Sequence, residues 1–224
     1  LMRWIASRPT FVCNSHFPHD GIFTVAHCAA PRKMNGKDYE PGAPSLTARS
    51  PPTRRSWHHL GVLVVVNNGS HFLAEMQSAL ARLRVEYDLV PGYESLSPPM
   101  LTSYSGVILT GGDVHVYEPQ QLASVALDEQ ILTVTKKPVL GICLGHQLIA
   151  HHCGATIEAL PAPVDHHELV EIVQDDRLFT GLPRQVTVRV AHDDAVTTLA
   201  RPLVQLARSS LGEYEAIRHR TRPL

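Results

Sequence analysis

Residues 138–147, which read PVLGICLGHQ, decide the fold expected for this chain. The apolar start of this stretch is typical of a buried strand, and residues 146–153 are typical of a helix. A strand that enters a helix through a G-x-C-x-G turn is a nucleophile elbow, here with cysteine in the place of serine. Gly141 and Gly145 suit so tight a turn because they lack the Cβ atoms that would collide with neighbouring backbone.

Cys143 occupies the position at which such an elbow carries its nucleophile. At a helix N-terminus, unpaired N–H groups and the helix dipole favour the thiolate form of a cysteine. The alternative is a buried cysteine between two packing glycines, which is the commoner state of an isolated cysteine. The whole context of residues 141–147 favours the nucleophile.

The residues before the elbow predict the sheet that carries it. Residues 62–66 form a continuous apolar run that is typical of a buried strand. Further strands are predicted at 85–90, 107–109 and 138–143, and helices at 71–83 and 119–135. Strands that alternate with helices predict an α/β fold with a doubly wound, mostly parallel, flavodoxin-like sheet. Ligands bind at the carboxyl ends of the strands in such sheets. Gly111, Gly112 and Cys143 all fall at those ends, so one crevice is expected to hold them.

The pattern changes after the elbow helix. Short apolar runs separated by turns occur at 169–173, 186–190 and 204–207, and residues 213–218 form a further candidate strand. Short strands without intervening helices are typical of antiparallel pairing. We therefore expect a small antiparallel β extension beside the parallel sheet.

Residues 1–59 differ from the rest of the chain in composition. They hold seven prolines, and eight Lys or Arg against three Asp or Glu, without a sustained period of 2 or 3.6 residues. We interpret them as a disordered or non-native extension and assign them no function. Residues 60–224 are predicted to form the functional domain.

Global composition excludes several classes of function. The net charge of −1 does not indicate a surface that binds nucleic acid. The sequence has no apolar run of 18 residues, so no membrane span is predicted. Four cysteines without a C-x-x-C pair favour a reducing compartment, so a cytoplasmic protein is expected. The histidine pairs at 151–152 and 166–167 lack the spacing of metal ligands, and no metal site is predicted.

A thiolate that attacks a carbonyl group needs donors for the oxyanion and a proton-transfer partner. The N–H of Leu144 and the Gly111-Gly112 loop are the candidate donors. The partner is harder to find, because His146 lies too close to Cys143 along the elbow helix. His192, which is predicted to follow a strand, is a candidate base, although a lone histidine is more often structural.

These residues resemble the class I, or triad, glutamine amidotransferases, and within them the amidotransferase subunit or domain of GMP synthases. The resemblance covers residues 61–224 and is most specific at GICLGHQLIA, residues 141–150. Further matching segments are NNGSH at 67–71, ELVEI at 168–172, FTGLP at 179–183, AHDDAV at 191–196 and EAI at 215–217. Two positions depart from the family pattern: Asp113 stands where proline is usual, and Ala191 where serine is usual.

The resemblance implies a reaction and a set of roles. Cys143 would attack the side-chain amide of glutamine, with the N–H groups of Gly112 and Leu144 as oxyanion donors. Gly111, Gln147 and His192 would help to bind glutamine. Ammonia would pass to a synthetase partner that activates XMP with ATP and magnesium, so no cofactor is expected on this chain.

The family pattern also implies a missing segment. In the family, a strand reading Gly-Val-Gln-Phe-His-Pro-Glu follows the position of Leu224 and supplies the other two triad residues. We therefore expect a C-terminally incomplete domain, with a sheet edge or core face left unprotected and activity in doubt. The alternatives are a non-catalytic module that binds glutamine or a partner, an amidotransferase serving anthranilate or carbamoyl phosphate synthesis, and another cysteine hydrolase with His192 as base.

Overall fold

The computed structural model describes residues 61–222 and the backbone of a strand at residues 23–25. In this part of the chain the strands are β1 (Phe23–Val25), β2 (Leu63–Asn67), β3 (Tyr87–Pro91), β4 (Gly106–Leu109), β5 (Val139–Ile142), β6 (Thr156–Ile172), β7 (Gln185–Thr198), β8 (Leu203–Arg208) and β9 (Ala216–His219). The interpretation of residues 1–59 lies outside the described residues, except at β1.

Helices alternate with the first strands of the domain. They are α1 (Leu73–Arg82), α2 (Pro98–Ser103), α3 (Ala126–Val134) and α4 (Leu144–His152), with short 3₁₀ helices at Leu122–Val125 and Arg177–Phe179. The predicted helix at 119–135 is therefore split into a 3₁₀ turn and α3. In the described residues, the helices are too short and too polar to span a bilayer.

The described strands form one sheet with the order β3-β2-β4-β5-β1-β9-β8-β6-β7. From β3 to β1 all neighbours are parallel, and from β1 to β7 all neighbours are antiparallel. This arrangement confirms the predicted α/β class with its antiparallel extension.

Both faces of the central parallel strands β2 and β4 are covered, which explains why these strands are apolar without alternation. On one face, Leu63 and Val65 of β2 pack with Met76 and Leu80 of α1. On the other face, β2 joins a larger cluster with α3 and α4. That cluster includes Val64, Val66, Leu127, Ile131, Leu144 and Leu148. The elbow strand β5 therefore lies inside a doubly wound core.

The antiparallel half is longer than its sequence pattern indicates. The strands β6 and β7 have 17 and 14 residues and pair along most of their lengths. Much of β6 is exposed, so hairpin hydrogen bonds rather than apolar burial define it. The prediction that His192 follows a strand is wrong, because His192 lies within β7 and pairs with Val164 of β6.

The position beside the elbow strand is filled by β1. Phe23–Val25 pair in parallel with β5 and antiparallel with β9, and so join the two halves of the sheet. A segment far away in sequence therefore supplies the backbone partners of β5 on this side.

Candidate active site

Cys143 lies at the junction of β5 and α4, where the elbow was predicted. Its φ of 53° and ψ of −110° place it in a region that non-glycine residues rarely adopt, and α4 begins at the next residue. A Cβ at Gly141 would overlap the backbone of Gly145, so the two glycines are what permits the tight turn. The side chain is largely buried, with 8% of the residue's surface exposed.

The loop after β4 packs against this elbow. The N–H of Gly145 donates to the carbonyl oxygen of Thr110 at 3.1 Å, which ties the start of α4 to the end of β4. A Cβ at Gly112 would lie 3.0 Å from Cδ2 of Leu144 and would overlap the carbonyl oxygen of Asn68. The structure therefore brings the predicted oxyanion residues Gly112 and Leu144 together.

The predicted glutamine-binding residues Gln147 and His192 meet at one backbone carbonyl. Nε2 of Gln147 donates to the carbonyl oxygen of Asp194 at 3.2 Å, and Nδ1 of His192 lies 2.8 Å from the same oxygen. An Nδ1–H donor leaves Nε2 of His192 as an acceptor, and Nε2 is buried without a partner among the described residues. Burial lowers the pKa of His192, which favours the neutral imidazole.

Asp194 is a charged group at this site that sequence reasoning missed. The residue is 4% exposed, and its carboxylate accepts a hydrogen bond from the hydroxyl of Tyr117 at 2.9 Å. Its Oδ2 lies 2.7 Å from Nδ1 of His115. Both partners belong to the segment that follows Gly111 and Gly112, so Asp194 connects that segment to Gln147. The adjacent acidic pair at 193–194 is the only local signal, and it does not show which residue is buried.

His146 does not supply the missing base. It is 1% exposed, and burial lowers its pKa to about 3. A group that is so strongly held in the neutral form cannot accept and return a proton easily near neutral pH. Among residues 61–222, no group of three His, Cys, Asp or Glu side chains is arranged to hold a metal ion.

Comparison with known proteins defines the class of this site. A family model described as glutamine amidotransferase class-I matches residues 64–224. The chain therefore belongs to the class I glutamine amidotransferase family, and the elbow and the glycine loop lie within the matched residues.

Individual relatives show which members of the family this chain resembles. One subunit of the glutamine-hydrolysing GMP synthase from Methanococcoides burtonii is 31% identical over 166 residues, which cover 72% of this chain and 82% of that protein. The corresponding subunit from Pyrococcus abyssi is 31% identical and covers 73% and 85%. The crystal structure of a glutamine amidotransferase from Thermotoga maritima superposes with a TM-score of 0.59 at 27% identity, over 69% of each chain. The resemblance to the GMP synthase group is thereby confirmed.

Proposed function

We propose that this chain hydrolyses glutamine through Cys143 and acts as the amidotransferase subunit of a GMP synthase. The observation that carries the proposal is the strained backbone of Cys143 at the start of α4, with Gly112 held beside Leu144. The relatives that share this domain are GMP synthase subunits, which supports the choice of acceptor.

The chemistry begins with the sulfur of Cys143 attacking the side-chain amide carbon of glutamine. The C–S bond forms as the carbonyl oxygen gains negative charge, and the N–H groups of Gly112 and Leu144 stabilise that charge. The C–N bond then breaks, the nitrogen leaves as ammonia after gaining a proton, and water hydrolyses the glutamyl thioester to glutamate.

Substrate recognition follows from the buried polar groups around Gln147. The backbone carbonyl of Asp194 accepts from Gln147, and its buried carboxyl group accepts from Tyr117. A carboxylate in this position suits the ammonium group of an amino acid. Gln147, Gly111 and His192 would fix the rest of the substrate through hydrogen bonds. Glutamine would then lie between α4 and the loop after β4, with its side-chain amide directed to Cys143.

Proton transfer is the demanding step for this chain. The departing nitrogen needs a proton, and the family pattern assigns that role to the histidine of a His-Pro-Glu segment. The sequence of residues 1–224 contains no His-Pro-Glu. In triad enzymes the base contributes orders of magnitude to the rate, and binding and oxyanion stabilisation contribute separately.

The ammonia would pass to an ATP-dependent synthetase partner in the cytoplasm. ATP, magnesium and XMP would bind to that partner, and this chain would carry no cofactor of its own. A basic or nucleotide-binding surface is therefore not required of the amidotransferase domain.

Glutamate release from glutamine tests the proposal. We expect the purified chain to release glutamate, faster with a GMP synthetase subunit, XMP, ATP and magnesium, and Cys143→Ala to remove the release above the uncatalysed background. Glutamine binding without any turnover would indicate a non-catalytic module instead. Turnover that is lost in His192→Ala would favour a hydrolase with a different base, and glutamate release without GMP would indicate another acceptor.

A further inference from the structure

Asp128 is a buried carboxyl group that the proposed mechanism does not use. It lies in the first turn of α3 and has no exposed surface (0%). Burial raises its pKa to about 7, and a hydrogen bond from Asn68 only partly opposes this shift. Burying a carboxyl group costs stability unless it is hydrogen-bonded or neutral.

Hydrogen bonds connect Asp128 to the loop that carries the oxyanion residues. Nδ2 of Asn68 donates to Oδ1 of Asp128 at 2.9 Å. The backbone N–H of Asn68 donates to Oγ1 of Thr110 at 2.9 Å, and that hydroxyl donates to the carbonyl oxygen of Gly111 at 3.0 Å. Asn68 thus lies between the carboxyl group and the loop.

Asn68 also sets the position of the loop by direct packing. Its carbonyl oxygen occupies the space that a Cβ at Gly112 would need. A displacement of Asn68 would therefore move both the hydrogen-bonded start of the loop at Thr110 and the backbone of Gly112. Oxyanion donors lose much of their effect when they are misplaced by about 1 Å.

Two side-chain oxygen atoms of Asn68 and Asp128 indicate the protonation state of the Asp128 carboxyl group. Oδ1 of Asn68 and Oδ2 of Asp128 are buried without a hydrogen-bond partner among the described residues. Both face Gly92, where a Cβ would overlap the first and lie 3.3 Å from the second. A proton on Oδ2 makes it a donor, and Oδ1 of Asn68 is an acceptor without a partner.

We propose that Asp128 is a positioning residue for the oxyanion loop: as a neutral acid it holds the amide of Asn68 through two hydrogen bonds, and Asn68 holds Thr110 and Gly112. This inference rests on the proposed function, because the loop has a catalytic meaning only if glutamine is the substrate. The role is indirect, since Asp128 contacts Asn68 and not the reacting atoms.

Labelling of Cys143 by two electrophiles tests the inference. The glutamine analogue 6-diazo-5-oxo-L-norleucine needs an ordered site, whereas iodoacetamide reports the thiol alone. We expect Asp128→Ala to lower the ratio of the analogue rate to the iodoacetamide rate about tenfold or more. Asp128→Asn is expected to restore it to within about threefold, because an amide offers both a donor and an acceptor to Asn68.

A matched control separates positioning from general destabilisation. Glu215 is another buried carboxyl group, 3% exposed, and bonds to Ser209 rather than to the loop. Glu215→Ala is expected to leave the labelling ratio unchanged. If Asp128→Ala does not fold, Asn68→Ala removes the same link from the other side and is expected to lower the ratio equally.

Amide hydrogen exchange at Gly111 and Gly112 gives a readout that does not depend on glutamine. Faster exchange in Asp128→Ala, with a return to the wild-type exchange rate in Asp128→Asn, supports the positioning role. This holds even if Cys143 of the wild-type chain reacts with iodoacetamide but not with the glutamine analogue. That labelling result would reject the proposed function only. The inference would be overturned if Asp128→Ala had the same labelling ratio and the same exchange rates as the wild type. It would also be overturned if Asp128→Asn did not restore these two quantities.

Discussion

At the scale of single residues, Gly112 shows how backbone packing restricts the site. The space beside its Cα is filled by the carbonyl oxygen of Asn68 and by the side chain of Leu144. We predict that Gly112→Ala displaces the loop, lowers the free energy of unfolding by about 1–3 kcal/mol and reduces glutamate release by about 10²-fold. Steady-state kinetics and urea denaturation would measure the two effects.

A second glycine provides the control for that substitution. Gly181 has a φ of +78°, but no atom lies within 4 Å of the position that a Cβ would take, so Gly181→Ala adds backbone strain without a clash. It is expected to cost about 1 kcal/mol and to leave activity unchanged. Equal losses of activity in the two variants would show that the effect at Gly112 is only a loss of stability.

The residues that the sequence identified and the residues that it missed differ in the range of their contacts. Gly141, Cys143 and Gly145 lie within one turn, so their geometry follows from a local motif. Asp194 acquires its role through His115, which is 79 positions away, and Asp128 through Asn68, which is 60 positions away. No local pattern marks such pairs, because only the tertiary fold brings their polar atoms together.

At the scale of strands and helices, burial decided what could be predicted. The central parallel strands β2 and β4 are covered on both faces, so their apolar runs identified them clearly. The hairpin of β6 and β7 carries few buried residues in the middle of β6, so only its apolar ends were visible in the sequence. For this reason His192 was expected after a strand, although it lies inside one.

The strand β1 offers a test at the same scale. Thr24 pairs with Gly141 on one side and with Ile217 on the other, at the centre of the sheet. Thr24→Pro removes a backbone donor from this position and is expected to lower the free energy of unfolding by about 3 kcal/mol. Thr24→Val keeps the donor and is expected to be close to neutral. Equal urea midpoints for the wild type and Thr24→Pro would show that β1 does not stabilise the sheet.

At the scale of the whole molecule, buried ionisable groups pull the pH dependence of stability in two directions. Burial raises the pKa values of Asp128 and Glu215 to about 7 and lowers that of His146 to about 3. The acids stabilise the fold fully below their unfolded pKa of about 4, and this contribution is lost as pH rises through about 7. The histidine contributes above its unfolded pKa of about 6.5, and its contribution is lost as pH falls towards 3. Between about pH 4 and 6.5 the losses from the two acids exceed the gain from the one histidine, so these three groups together are expected to make stability highest near pH 4.

The variant Asp128→Asn measures the contribution of Asp128 to the pH dependence of stability. The variant keeps the shape of the neutral acid but cannot ionise, so it avoids the cost that the wild type bears as pH rises. Between pH 5 and pH 8, the wild type is expected to lose about 2–3 kcal/mol of unfolding free energy relative to Asp128→Asn, because each pH unit below the folded pKa contributes up to about 1.4 kcal/mol. Urea denaturation at several pH values measures the difference, and Glu215→Gln is expected to show the same trend independently. Parallel stability curves for the wild type and Asp128→Asn would mean that the carboxyl group is already ionised at pH 5, and the neutral acid that holds Asn68 would then not exist.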